Sequence, residues 1–163
     1  MKSKQKGALT GYRVLDLADS RGAYCAKLLA ELGADVIKVE GPEGDSGRRI
    51  PPFAGDAPHI EKSLYFLYRN ANKRGITLDL QTSEGMTTFN SLAKTADVLI
   101  ENSPPGYMTN LGLGYPVLKE INPRLVMASI TEFGQSGPYR DYKGSNLVDF
   151  CPQWYYDNQW LPW

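Results

Sequence analysis

Short apolar runs recur along the chain, separated by segments whose apolar positions repeat every three or four residues. Arg13–Leu17 (RVLDL) predicts a buried strand, and Ala23–Leu32 (AYCAKLLAEL) predicts a helix with Ala26, Leu29 and Leu32 on one face. On that reading Cys25 is a small buried hydrophobe inside the helix. Lys27 and Glu31 form an i,i+4 pair, in the less favourable order. Gly33 stands where a helix end wants a positive φ, and Ala34–Glu40 (ADVIKVE) reads as a second strand. Strand, helix and strand within about 30 residues form a βαβ unit, with parallel strands and the helix over one face.

A loop rich in Pro and Gly follows from Gly41 to about Ser63. Loops of that length inside a domain are functional or flexible. Beyond it come a strand at Gly75–Leu80, a helix at Thr82–Ala96 with Thr82 as N-cap, and a strand at Asp97–Glu101. A short helix at Tyr115–Ile121 and a strand at Leu125–Thr131 complete the series. The order β-α-β, loop, β-α-β-α-β defines an α/β fold: a Rossmann-like, open, mostly parallel sheet flanked by helices. The pattern fails after residue 149. Phe150–Trp163 (FCPQWYYDNQWLPW) holds all three tryptophans and has neither helical nor strand period. We therefore read 1–148 as one α/β domain and 149–163 as an aromatic tail, expected from truncation or a frame change, the alternative being an arm that packs onto a partner or folds back.

Composition narrows the function. Eighteen Lys+Arg balance eighteen Asp+Glu in 163 residues. A net charge of zero gives no sequence-independent pull toward a phosphate backbone, so nucleic acid is not the expected partner. Two cysteines make no disulfide framework, and His59 alone makes no multi-histidine metal site. No run approaches the roughly 18 apolar residues of a membrane span, and no secretory h-region follows the Lys-rich start. The expectation is a cytoplasmic protein with no membrane and no metal.

Ligands of open parallel sheets bind beyond the carboxyl ends of the strands. Here those ends are Ala18–Gly22, Glu40–Gly44, Asn102–Gly106 and Thr131–Gly137, all rich in Gly, Pro or small polar residues. Such backbone can approach an anion closely, and the helix start near Gly22 adds partial positive charge. A phosphate-bearing ligand fits. The usual phosphate motifs are missing: the first turn, ADSRGAYC, has one glycine where a dinucleotide fingerprint needs three, and there is no P-loop. This argues against a nicotinamide-dependent oxidoreductase, in which Glu40 would bind a ribose; a solvated strand-end carboxylate is the plainer reading of Glu40. Asn72-Lys73-Arg74 can face a diphosphate or form a solvated turn, with nothing in the spacing to decide. Arg48-Arg49, His59 and Lys143 read as solvated loop residues.

In order, GYRVLDLA from Gly11, LLAELGADVIKVEGP from Leu28, NKRGITLDL from Asn72 and ADVLIEN from Ala96 resemble successive blocks of the family III CoA-transferases, the CaiB/BaiF group. Pro105-Gly106, LGLGY from Leu111, NPRLV from Asn122 and SITEFGQSGPY from Ser129 continue the resemblance, which is nearly continuous from Leu9 to Val148. It implies transfer of CoA from an acyl-CoA to a small carboxylic acid, with coenzyme A as part of the substrate and no metal. An aspartate carboxylate would attack the thioester to give a mixed anhydride, then an enzyme–CoA thioester. It also implies an intertwined homodimer of the full-length form. Carried over position by position, the CoA contacts are Ser20 and Arg21, then Leu78, Asp79, Leu80 and Gln81, then Asn102, Ser103 and Pro104, and finally Lys143, facing a phosphate. Gly41 stands where relatives carry an arginine, and Ser103 where they carry an aromatic or aliphatic residue. The family's nucleophile lies beyond the matched segment. Asp149 and Asp157 are the only downstream aspartates and neither has matching context, so no catalytic residue is assigned. The expectation is an N-terminal CoA-transferase fragment inactive by itself; the alternatives are a nicotinamide-dependent oxidoreductase and a non-catalytic CoA-binding or interaction fragment.

Overall fold

A computed structural model describes residues 7–144 of the 163. The tail at 149–163 lies outside the described residues. Five strands form a single sheet: β1 (Arg13–Asp16), β2 (Asp35–Glu40), β3 (Arg74–Thr77), β4 (Val98–Glu101) and β5 (Val126–Ser129). Their spatial order is β3-β2-β1-β4-β5, and every pairing is parallel. The helices are α1 (Ala23–Glu31), α2 (Leu64–Arg69), α3 (Ser83–Ala93), α4 (Tyr107–Asn110) and α5 (Tyr115–Ile121). This is the expected α/β architecture. The chain builds outward from β1 to β3, then returns to place β4 on the other side of β1. The crevice between β1 and β4 is thus the switch point of the sheet.

Two apolar layers hold the sheet. On one face, Leu15, Ile37 and Leu99 pack on Phe89 and Ala93 of α3, Met108 of α4 and Leu118 of α5. On the other, Val14, Val36 and Ile100 meet Ala26 and Ala30 of α1. Alternate strand residues serve opposite faces, as strand geometry requires. Helix α1 turns Ala23, Ala26, Lys27 and Ala30 inward. Leu32 is exposed and Leu29 only half-buried, which corrects the expected face. Small residues at i, i+3 and i+7 let the helix lie close to the strands, and the larger side chains are left outside. Cys25 is exposed for the same reason, so it is no core residue. The Lys27–Glu31 pair forms at 3.2 Å, and Gly33 has φ near 100°.

The long loop is more ordered than its composition suggests. Two 3-10 turns, Ser46–Arg49 and Ala54–Asp56, lead to helix α2, which lies just past the loop in a stretch the apolar spacing assigned to no element. Ser63 caps α2 by accepting the Phe66 N–H, and its single hydroxyl hydrogen is within reach of the carbonyls of Ile50 (2.6 Å) and Gly47 (2.9 Å). Among the described residues no helix is long and apolar enough to cross a membrane.

Candidate coenzyme site at the carboxyl ends

Charged side chains gather on the α1–α2 face near the ends of β1 and β2. Glu40 is buried and accepts from Arg48 Nε (2.7 Å), Arg48 Nη2 (2.9 Å) and the Asp45 N–H (2.9 Å). Burial by itself would raise the Glu40 carboxyl, but these donors outweigh it and hold the carboxyl below the usual glutamate range. Glu40 is therefore not a solvated carboxylate. Arg48 is not a solvated loop arginine either: it stacks on Phe66 at 3.9 Å and its guanidinium is held charged by Glu40. Arg49 stays exposed, donating to the Glu43 carbonyl. His59 is exposed, with Nδ1 accepting the Glu61 N–H.

Asn72-Lys73-Arg74 is a solvated turn only at its two ends: Asn72 and Arg74 are exposed, whereas the Lys73 side chain is buried. Asn72 turns the chain at φ 64°. Arg74 folds back onto Asp35, at 2.7 Å. Lys73 runs inward to Asp16 at 2.7 Å, and both side chains are almost wholly buried. Burial pushes the Asp16 carboxyl up and the Lys73 ammonium down, each toward its neutral form, against their mutual attraction. The two groups are 57 residues apart in sequence.

Five of the ten predicted contacts converge. Leu78, Asp79, Leu80, Gln81 and Ser103 line a groove of about 230 Å³ beside Leu17, Val39, Gly41, Pro42 and Tyr107. The groove spans the carboxyl ends of β1 to β4. Its Leu78–Gln81 wall is fixed by the start of α3. Thr82 donates to the Asp79 carbonyl (2.8 Å) and accepts the Gly85 N–H (3.1 Å), as the predicted N-cap. Asp79 Oδ1 accepts the Gln81 N–H, and the Leu78 N–H reaches the Glu40 carbonyl. On the opposite wall, Glu101 accepts the Ser103 N–H at 2.7 Å. No lysine or arginine lines the groove.

The other five lie around it. Asn102 is buried in the switch-point crevice and exchanges hydrogen bonds with Asp19, accepting its N–H at 2.9 Å and donating to its carboxylate. Ser20 and Arg21 follow on the same loop. The Ser20 carbonyl accepts from Tyr65 and Arg69, and the Arg21 guanidinium pairs with Glu132. Pro104 lines a separate cavity of about 460 Å³ next to β5, with Tyr115, Met127, Ser129 and Arg140. Lys143 is exposed and lines neither space. Tyr107, Leu17, Val39 and Pro42 were not singled out from the sequence. Only the position of Gly41 and Pro42 just past β2 hinted at them. The Asp19–Asn102 pair spans 83 residues, so no local pattern marks it.

An open parallel sheet with helices on both faces and a groove at its switch end defines an α/β domain of doubly wound type. This chain belongs to CoA-transferase family III, whose family description matches residues 9–150. It is 46% identical over 137 residues to "Succinyl-CoA:(R)-benzylsuccinate CoA-transferase subunit BbsE" of Thauera aromatica, covering 84% of this chain and 33% of that protein. It is 48% identical over 140 residues to "Succinyl-CoA--L-malate CoA-transferase beta subunit" of Chloroflexus aurantiacus, covering 83% of this chain and 33% of that protein. Among solved structures, a CAIB/BAIF family protein from Brucella suis superposes with a TM-score of 0.80 at 40% identity, over 88% of this chain and 38% of the other. The chain spans about a third of the length of the curated relatives it matches.

Proposed function

We propose that this chain forms the coenzyme A-binding part of an enzyme that moves CoA from an acyl-CoA to a carboxylic acid. One observation carries the reading. Leu78–Gln81 and Ser103, taken as contacts from separate sequence blocks, meet in one groove at the switch end of the sheet. Its lining of Leu17, Val39, Leu78, Leu80 and Tyr107 suits the flat faces of an adenine ring. With no cation inside, the phosphates fall to Arg21 and Lys143, both exposed.

The chemistry is carboxylate exchange through a covalent intermediate. An aspartate attacks the thioester carbonyl, and the C–S bond breaks to release CoA thiolate and leave a mixed anhydride. The thiolate then attacks the aspartyl carbonyl, and the acyl group leaves as its carboxylate. The acceptor carboxylate attacks the resulting thioester, which releases CoA thiolate and leaves a second anhydride; the thiolate then attacks the acceptor's acyl carbonyl, giving the new acyl-CoA and freeing the aspartate carboxylate. No residue of this chain is assigned as that aspartate, so the chain is inactive by itself. The complete enzyme is an intertwined homodimer in the cytoplasm.

Titration calorimetry with coenzyme A tests the site. Binding is expected for the unaltered chain and lost in Ser103→Trp, which fills the groove. Undiminished binding by Ser103→Trp, or tighter binding of NADH than of coenzyme A, overturns the reading. Incubation with succinyl-CoA followed by intact mass measurement is expected to show no covalent adduct. An adduct on Asp149 or Asp157 would assign the nucleophile there.

A further inference from the structure

Of the buried lysines on the α1–α2 face, Lys38 and Lys73 reach the strand ends, and neither lines the groove. The Lys73 ammonium donates to Asp16 Oδ2 (2.7 Å), the Ala23 carbonyl (2.8 Å) and Asn70 Oδ1 (2.8 Å). An ammonium has three N–H groups, so each has its acceptor. Lys73 directly precedes β3, Asp16 ends β1, and β2 lies between them. The side chain therefore crosses the middle strand. Lys38 on β2 pairs with Asp45 at 2.6 Å and donates to the Ala18 carbonyl. Arg69 Nη1 and the Tyr65 hydroxyl donate to the Ser20 carbonyl, at 3.0 and 3.2 Å. Three carbonyls of one loop, those of Ala18, Ser20 and Ala23, thus each meet a side-chain donor from the 38–73 stretch.

Buried ion pairs are poor sources of net stability, because desolvation offsets their attraction. Apolar side chains would fill the same space. What the ammonium adds is direction, since it fixes particular oxygens at particular distances. A carbonyl oxygen held by a cation also presents its negative end to that cation, which matters beside a site for an anionic ligand.

We propose that Lys73 and Arg69 are positioning residues for coenzyme A, tying the Ala18–Ala23 loop to α2 and the start of β3 so that Ser20–Arg21 and Leu78–Gln81 keep one spacing. This rests on the coenzyme A reading above and deepens it. Neither side chain touches the ligand; both act through the backbone of the loop.

Lys73→Met alone leaves Asp16 buried without its partner, so the informative variant is D16N/K73M. It keeps the volume and retains the side-chain oxygen that accepts the Ala18 N–H. Arg69→Met, at a half-buried position, is the second variant and leaves the buried pair intact. In the full chain, each is expected to keep its cooperative melting transition. Each is also expected to bind coenzyme A about tenfold or more weakly, because small misplacements of a site are costly. Hydrogen exchange at residues 18–23 should quicken while β4 stays protected. Undiminished affinity in either folded variant overturns the inference. Should Ser103→Trp also bind normally, it is the groove reading that fails.

Discussion

At Glu40 and Arg48, two charged side chains eight residues apart leave water together. The Glu40 carboxyl is held below its ordinary range near 4.3 because Arg48 and the Asp45 N–H overcome the burial that would raise it. Its contribution to stability is therefore complete above the unfolded value and is lost as the pH falls through the lower folded value. Glu40→Gln is expected to cost about 1.5–3 kcal/mol at neutral pH, the range for hydrogen bonds to charged groups. The difference should shrink below about pH 4. Urea titrations of both proteins across pH 3 to 7 read this directly. Lys73→Met should be harsher, about 3–5 kcal/mol, because it strands a buried carboxylate. None of these partnerships was legible in the sequence. Charges eight or 57 residues apart carry no periodic signature, and only the folded sheet brings them together.

The elements were more legible than the charges, where their length let a period show. Strands β1, β2, β4 and β5 and helices α1, α3 and α5 all lie within the segments read from apolar spacing, and the start of α3 at its Thr82 cap was readable too. Helix α2 was hidden because six residues, LYFLYR, are too few to separate a helical period from a general apolar run. Helix α4, four residues after Pro104-Pro105-Gly106, was hidden for the same reason. The face of α1 was misread because leucines were weighted over alanines, whereas close packing on the strands selected the alanines. One element is exposed to a single methyl group. A Cβ at Gly85 in the first turn of α3 would sit 1.9 Å from the Asp79 carbonyl oxygen. Gly85→Ala is expected to displace the Asp79–Gln81 turn, costing about 1–3 kcal/mol as overpacking does. Its effect on coenzyme A affinity should exceed its effect on the melting temperature, measured side by side by calorimetry and thermal melting.

For the molecule as a whole, alternating strands and helices announced a parallel sheet, while the order β3-β2-β1-β4-β5 became visible only in the folded chain. The site followed the same division. The segments at the strand ends were readable, but their sharing of one groove depends on which strands are neighbours. Half of the predicted contacts meet there. Because the groove draws on four strands, a ligand seated in it should stabilise the domain as a unit. Coenzyme A at about 100 times its Kd is expected to add about 2.7 kcal/mol, read as a rise in melting temperature. Phe89, fully buried between α3 and the sheet, tests the core independently: Phe89→Ala should cost about 3–5 kcal/mol.

Cys25 stands on the outer side of α1, two positions past the carbonyl that Lys73 grips. With Cys151 changed to serine, a maleimide dye on that thiol would ride on the first turn of the helix. Its emission would then follow the loosening and tightening of the neighbouring turn in real time, making the chain its own optical sensor of ligand arrival.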